Sequence, residues 1–549
     1  MKKMISIGIY NGKNAGVSFN KNDNIFNVSE ERFTRVKNQR GFPIQSLNYL
    51  CKKFKIGKFS KINLVTGAWN YPDESIIKNY FETKKKNSHI RLFNSLKTDH
   101  ENLVELILKI KDYFPNSKIT FYDHHLSHFA SSLFFYEKRK EAYGIVADGR
   151  GSLKSISIWK FQNGNIQELI SFPETKSLGA FYGSITYLLG FTPDKHEGKI
   201  TGLAAFGKRT NLINEFEKLI SFKSNKLIAD NNFIPFIKPS DLTFLKKITN
   251  KYKNADIAFA AQYVLEKNLI KIINKHIPKN KLLLASGGVF ANVKLNQRIR
   301  ENCKLKNFII FPEMSDGGIS YGSLALNTFR NKKKYMVLKD VYNGPNFKFK
   351  PTIALKEKYN ILHFQNIDRL SKKISQLIFE NNVIGIIRGN MEYGPRALGN
   401  RSIICLPTKK TNIDNLNKRL GRNEFMPFAP VLLNKNWKYL FKEKNFNDCN
   451  LNFMTTCYNC SSFMINNYPS VVHVDNTARP QVLKKNHPNK LYYKILENLD
   501  NFFKIKCLIN TSFNTHDEPI VCNPDEGLNN LDKNAVDFLI IDNYLIAKK

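Results

Sequence analysis

Short runs of apolar and β-branched residues recur along the chain, separated by segments whose apolar positions return every three or four residues. ISIGI at 5–9, KINLV at 61–65, KITFY at 118–122, YGIVA at 143–147, KLLLA at 281–285 and NFIIF at 307–311 have the length and composition of strands. Helical spacing fills 101–114 and 257–273 between them, which predicts an α/β first part rather than an all-helical one. Near the start, VSFNKNDNIFNVSEERF reads as two strands joined by an Asn/Asp turn. The polar, Lys-rich stretch 331–350, with Gly344 and Pro345, breaks the pattern and is the best candidate linker. A new α/β pattern follows, with a helix over 370–381, a buried strand VIGIIR at 383–388 and a further strand at 507–510. Two α/β domains are expected, 1–345 and 346–549.

Composition narrows the class. Of 549 residues, 42% are hydrophobic and 12% aromatic, enough for sizeable cores and too many for a disordered chain. Lys and Arg number 85 against 46 Asp and Glu, a formal charge of +39. The excess is mostly Lys spread along the whole chain among many Asn, whereas a nucleic-acid site concentrates charge on one stripe; a global bias explains it better than a nucleic-acid partner. No run approaches the ~18 apolar residues of a membrane span, and MKKMISIGIY lacks the apolar core of a signal peptide. Eight Cys are too few for a disulfide scaffold and fit a reducing compartment, so the expected location is the cytoplasm. Cys457 and Cys460 form one CxxC near Cys449 with no second pair at zinc-ribbon spacing, which reads as a chance pairing.

Candidate chemistry concentrates in a few segments. In DHHLSHFASS, His124 and His128 share one face if the segment is helical, and paired imidazoles at that spacing can chelate a divalent ion. Asp148, after the strand YGIVA, and Asp316, opening DGGISYG after the strand NFIIF, stand where an α/β sheet places ligand-binding groups and are the candidate carboxylates. From spacing alone, ordinary helix residues at His124, His125 and His128 are the favoured reading over a metal site, because His125 breaks the one-faced pattern. Gly287 and Gly288 form a strand-to-helix turn where backbone amides can approach an anion, with Asn292 and Asn296 placed to bond a ribose or base. Glu197 and Lys199 in HEGKITGLAAFG suggest an anion loop, or a surface loop capping the next helix. Farther on, Arg396 and Arg401 in MEYGPRALGNRS, with Arg422, Arg479 and NTSFN at 510–514, make an inventory of donors suited to phosphate and carboxylate oxygens.

The ordered segments EERFTRVK, HHLSH, VADGRGS, SLGAFYGSIT, HEGKITGLAAFG, SGGVFAN, SDGGISYG, GPRALGNRS, PFAPVLL, HVDNTARPQV and NTSFNTHDEPIV resemble the NodU/CmcH-type O-carbamoyltransferases, among them nodulation, cephamycin and tobramycin carbamoyltransferases. The resemblance covers nearly the whole chain. It implies an N-terminal domain of the actin-like ATPase (ASKHA) superfold, similar to tRNA threonylcarbamoyltransferases, followed by a YrdC-like α/β domain. The YrdC-like domain is then expected to form carbamoyl adenylate from carbamoyl phosphate and ATP, with Mg(II) accompanying the ATP. The first domain is expected to pass the carbamoyl group to a hydroxyl of a sugar-containing small molecule.

Carried over residue by residue, the resemblance makes His124, His128, Asp148 and Asp316 ligands of a divalent metal, Fe(II) being the expected ion. Lys37 matches an active-site lysine, and Gly287, Gly288 and Asn292 match a nucleotide-facing turn. Arg396, Arg401, Arg422, Arg479, Asn510, Ser512 and Asn514 match positions around the carbamoyl adenylate. Two departures stand out. Where the family shows Gly-His-Asp-x-Ser, this chain has Gly12, Lys13, Asn14, Ala15 and Gly16; Asn14 can position a hydroxyl but cannot take its proton, so another group or the metal has to serve. The family's Arg-Glu-x-Phe-Arg-Pro run appears as Arg422, Asn423, Glu424, Phe425, Met426 and Pro427. The competing readings are a tRNA threonylcarbamoylation enzyme, against which HHLSH stands in place of His-x-Glu-Gly-His, and a degenerate nucleotide-binding homologue. Acceptor choice is expected to sit in 69–100 or 221–254, outside the shared motifs.

Overall fold

The computed structural model describes residues 5–67, 86–230, 243–421, 426–443 and 448–549. Each apolar run of the first half forms a strand. Ile5–Tyr10 (β1) pairs with a hairpin, Gly16–Lys21 (β2) and Asn24–Ser29 (β3), that turns on Asn22 and Asp23 at φ 52° and 67°. Two successive left-handed residues give the turn whose twist matches the flanking strands, and Asn and Asp tolerate that conformation. Ile62–Thr66 (β4) and Lys118–Phe121 (β5) add in parallel, giving the order β3-β2-β1-β4-β5.

A second five-stranded sheet repeats the plan. Glu141–Gly151 (β6), Lys154–Gln162 (β7) and Asn165–Pro173 (β8) form the antiparallel meander. Ile220–Lys223 (β9) and Lys226–Ala229 (β10) make a separate hairpin. Leu282–Ser286 (β11) and Asn307–Ile310 (β12) then extend the sheet in parallel, in the order β12-β11-β6-β7-β8. Inward residues of this sheet, such as Ile145, Ile158, Leu283 and Ile310, share a core with Ala261, Val264, Leu265 and Ile272 of the helix Asn254–His276. The helix Ile319–Lys332 lies against β1 and against the helix His124–Leu133, bringing the ends of both sheets toward one place.

By its contacts the chain divides into one unit of Met1–Thr34 with Asn38–Asp340 and another of Arg35–Lys37 with Val341–Lys549, the main boundary falling inside the polar stretch 331–350. The second unit is built on one mixed eight-stranded sheet, made of Tyr359–His363 (β13), Ile384–Ile387 (β14), Arg401–Cys405 (β15), Ala429–Leu433 (β16), Gln481–Leu483 (β19), Cys507–Ser512 (β20), Phe538–Ile541 (β21) and Tyr544–Lys548 (β22), with Tyr458–Asn459 (β17) and Thr477–Ala478 (β18) as a separate pair. Its apolar residues alternate between two cores: Ile403, Ile509 and Leu539 on one face, Ile404, Leu508 and Ile540 on the other. A sheet covered on both faces favours apolar residues on both sides of its strands, which is why β14 reads as the unbroken apolar run IGII. The helix Ile367–Phe379 starts earlier than its periodicity predicted, because Asn366 caps it by accepting from Asp368 N at 2.7 Å.

Among the described residues no helix is long and apolar enough to cross a membrane. Cys457 and Cys460 are buried, and among the described residues neither joins a set of three metal-ligating side chains.

Candidate metal centre

The helical reading of DHHLSHFASS holds: the helix His124–Leu133 begins at the first histidine, and Asp123 caps it by accepting from Leu126 N at 2.8 Å. That cap fixes the first turn and sets His124 and His128 one turn apart, their rings 4.9 Å between centroids. His125 points elsewhere and does separate work. Its Nδ1 meets Ser157 Oγ of β7 at 2.8 Å, and burial drives its pKa well down, so it anchors the helix as a neutral ring. At Gly151 a Cβ would lie 2.2 Å from His124 Cδ2, so this position has to lack a side chain.

Asp148 lies within β6 rather than beyond it, in the stretch between Ala147 and Gly151 where pairing with β7 shifts register. The irregularity re-aims a side chain that a regular strand would carry past the site. Its Oδ1 accepts from Gly149 N at 2.7 Å. Asp316 opens the short turn between β12 and the helix Ile319–Lys332, and its Oδ2 accepts from Tyr10 Oη at the end of β1 at 2.7 Å. The remaining carboxylate oxygens face the imidazoles: His124 Nε2 is 3.6 Å from both Asp148 Oδ2 and Asp316 Oδ1, and His128 Nε2 is 3.2 and 3.4 Å from the same two atoms.

The four ligand atoms lie within 4.8 Å of one another, and His128 is fully buried. Both Nε2 atoms and Asp148 Oδ2 are buried without a hydrogen-bond partner. Orphaned polar atoms that converge from four sides fit a bound cation, since donors at about 2.1 Å from one ion sit roughly 3.0–3.4 Å apart. Two imidazoles and two carboxylates form a borderline donor set that suits Fe(II) and its first-row neighbours. Burial by itself would lower the pKa of His124, but Asp148 and Asp316 outweigh it and push the ring up to about 10; Asp316 is held well below the usual carboxylate range against its own burial. The carboxylates therefore demand positive charge at this point.

Around the cluster the structure places the other candidates unevenly. The Gly287-Gly288 turn abuts it: a Cβ on Gly288 would lie 3.2 Å from Asp148 Oδ1. Gly287 has φ 99°, and its Cβ would lie 2.3 Å from Ala147 O. Asn292 instead caps the helix Val293–Asn302, its Oδ1 accepting from Leu295 N at 3.0 Å and its Nδ2 donating to Gln262 Oε1 at 2.7 Å. Asn296 corrects the ribose expectation outright, being fully buried and bonded to Phe290 O. Lys199 is half-buried on the helix Glu197–Leu203, its ammonium 5.8 Å from the Phe191 ring, while Glu197 accepts from Asp194 N within its own loop. Lys37 is grouped with the second unit, where neighbouring Arg35 donates to Pro519 O and Ile520 O and pairs with Glu526 at 3.1 Å.

Asn14, held at φ 60°, donates from Nδ2 to Ser315 Oγ at 3.1 Å. Ser315 in turn donates to Glu313 Oε1. Tyr10, Glu313 and Ser315 were missed in the sequence. The one available signal was the carboxylate and hydroxyl just before Asp316 in FPEMSDGG.

In the second unit, Glu392 organises the loop that carries Arg396 by accepting from Leu398 N and Asn400 N, each at 2.7 Å, and from Arg401 N at 3.1 Å. Arg396 is half-buried on that loop. Arg401 is 1% exposed, with Nε and Nη1 donating to the carbonyls of Cys522, Arg388, Gly389 and Asn400. Those atoms hold loops together and are not offered to a phosphate. Asn510 Nδ2 ties β20 to the same loop through Ala397 O and to Gln481 Oε1, and its buried Oδ1 is without a partner. Asn514 is engaged by Thr515 O and Glu518 O, whereas Arg479 and Ser512 are half-buried. Arg422 lies outside the described residues.

Two family models match this chain, Carbamoyltransferase N-terminus over residues 3–325 and Carbamoyltransferase C-terminus over 375–548, so together they define a carbamoyl-transferring enzyme of two parts. The chain belongs to the carbamoyltransferase family. It is similar to the uncharacterized protein MJ1051 of Methanocaldococcus jannaschii, 34% identical over 99% of each chain. It is also 27% identical to nodulation protein NolNO of Sinorhizobium fredii, over 95% of this chain and 77% of that one. Among solved structures, T. kodakarensis HypF matches 61% of this chain and 49% of its own at 13% identity and a TM-score of 0.31, too low to assign a fold.

Proposed function

We propose that this carbamoyltransferase is an ATP-dependent O-carbamoyltransferase: it forms carbamoyl adenylate from carbamoyl phosphate and ATP, then transfers the carbamoyl group to a hydroxyl of a sugar-containing small molecule. The observation that carries the reading is the convergence of His124, His128, Asp148 and Asp316 beside the Gly287-Gly288 turn in a chain matched by both carbamoyltransferase models. The repeated strand order of the first unit supports an actin-like ATPase superfold there, and the second unit is read as YrdC-like. Similarity to proteins named for nodulation supports a small-molecule acceptor.

His124, His128, Asp148 and Asp316 would hold a divalent ion, Fe(II) by expectation, which when bound supplies Lewis-acid polarisation of the carbamoyl carbonyl. The chain's own residues do the rest. Tyr10 orients Asp316 by donating to the oxygen turned away from the histidines. Gly287 lets backbone come close where a side chain would collide with β6. In the second unit Arg396 offers a planar donor set to phosphate oxygens, on a loop stitched by Glu392. Adenylation makes sense chemically because carbamate is a poor acyl donor, and a nucleotide leaving group develops charge that an arginine stabilises.

The deciding assay is pyrophosphate release from ATP with and without carbamoyl phosphate, for the wild type, Arg396→Ala and His128→Ala. Release that requires carbamoyl phosphate and Arg396 but survives loss of His128 supports adenylation in the second unit. No release from the metal-loaded wild type refutes the first half-reaction.

A further inference from the structure

The first unit has no carboxylate at Asn14 to take the acceptor's proton, yet a fully hydrogen-bonded path leads from Asn14 into the protein. Ser315 Oγ accepts from Asn14 Nδ2 and donates its own proton to Glu313 Oε1. A hydroxyl oxygen has two lone pairs, so one stays open to an incoming O–H. Ser315 is half-buried and directly precedes Asp316, whereas Glu313 is only 5% exposed. The proton path therefore opens beside the cluster and ends on a carboxylate shielded from water.

We infer that Glu313, acting through Ser315, receives the proton of the acceptor hydroxyl during carbamoyl transfer. The inference rests on the transfer reaction proposed above. As the acceptor oxygen attacks, its bond to the carbamoyl carbon forms and the bond from that carbon to the adenylate phosphate oxygen breaks, so that AMP leaves with the electron pair. The acceptor proton passes to Ser315 Oγ while the serine proton passes to Glu313, which ends as a neutral acid and later returns the proton to solvent. Asn14 keeps Ser315 in register, and its amide cannot accept the proton itself.

The electrostatics fit this duty. Burial pushes the Glu313 carboxyl up to about 7, opposed by its hydrogen bond from Ser315 and by Arg32, and reinforced by Glu31 and Asp316. Glu31 is itself engaged by Arg32 Nη1 at 3.1 Å and by Asn38 N at 2.7 Å. A base balanced near neutrality both takes and releases a proton at working pH, which an ordinary carboxylate does not. Glu313 is thus a positioning and relay residue that acts through Ser315.

Two measurements on the metal-loaded full chain test the relay. With methyl α-D-glucopyranoside and glycerol as hydroxyl probes, Glu313→Gln and Ser315→Ala should each lower kcat for carbamoylation about 10²–10⁴-fold with little change in KM, and Asn14→Asp should restore part of the rate in the Glu313→Gln background. The wild-type rate should rise with pH to a plateau above about 7, a break that Glu313→Gln removes. Independently of any acceptor, difference infrared spectroscopy should show a neutral carboxyl band that titrates between pH 6 and 8 and is missing in Glu313→Gln. A wild type without that band, or a Glu313→Gln enzyme with unchanged rate and pH break, overturns the relay. If Glu313→Gln does not fold, Ser315→Ala decides, because it cuts the path and keeps the carboxyl. Absence of pyrophosphate release from the wild type removes the transfer reading, and the infrared titration still answers for Glu313.

Discussion

Tyr10→Phe removes one hydroxyl from a ring that is 3% exposed and leaves its shape in place. The lost contact is the 2.7 Å bond to Asp316 Oδ2, from a buried donor to an ionised acceptor. Hydrogen bonds to charged groups contribute about 1.5–3 kcal/mol, which at about 1.4 kcal/mol per tenfold corresponds to roughly 10–150-fold in an equilibrium constant. Outer partners of metal ligands typically contribute about 10–100-fold in metal affinity, so two independent routes meet. The expected outcome is a 10–100-fold weaker affinity for Co(II), used as a spectroscopic stand-in, read by chelator competition against the visible absorption of the bound ion. Thermal stability of the metal-free protein should fall far less than it does for an apolar core truncation, because the ring still fills its place. Unchanged Co(II) affinity with an intact fold would refute the claim that Tyr10 orients Asp316 for a cation.

Three further outcomes follow from other parts of the molecule. Gly287→Ala puts a Cβ at a φ of 99° and 2.3 Å from Ala147 O, and should cost at least about 1–3 kcal/mol in urea unfolding at constant m value. Arg401→Met leaves four carbonyl contacts of a 1% exposed side chain unmade and should destabilise the second unit by about 3 kcal/mol or more, seen as a lowered midpoint of its unfolding transition. Burial lowers the pKa of His487 to about 4, against a backbone hydrogen bond at Asn489. A base whose folded pKa is depressed is bound by more protons when unfolded, so its stability contribution is complete above about 6.5 and is lost as pH falls toward 4. Denaturant titrations across that window should show this loss in the wild type and a weaker pH slope in His487→Gln.

Much of the architecture was legible in the sequence because it is local. ISIGI, KLLLA and NFIIF are strands, and the Asn/Asp pair at 22–23 supplies the two left-handed residues that a tight hairpin needs. The i, i+4 histidines stand on a helix as their context predicts. The roles of single polar residues were less legible. Asn292 and Asn296 look like ribose partners in a glycine-rich turn, yet one caps a helix and the other is a buried residue of that same helix, bonded to Phe290 O. Arg401 sits in the same string as Arg396, but two of its nitrogens, Nε and Nη1, are spent on carbonyls. Helix caps and carbonyl-bonded arginines draw on the same residue types as ligand sites, so residue type alone does not separate them.

By itself the sequence determined the α/β alternation and which residue types stand at strand ends, since periodicity and turn chemistry act over a few neighbours. Tertiary structure decided everything that depends on long-range approach. Tyr10 and Asp316 are 306 positions apart and share one 2.7 Å hydrogen bond. Only the packing of two sheets and the helices beside them shows that Asp148 is turned by a register shift toward His128. The same packing buries Glu313 behind Ser315. Burial is what converts these carboxylates and imidazoles from surface groups into a site, because removing water raises the cost of each unpaired charge until a partner is close at hand.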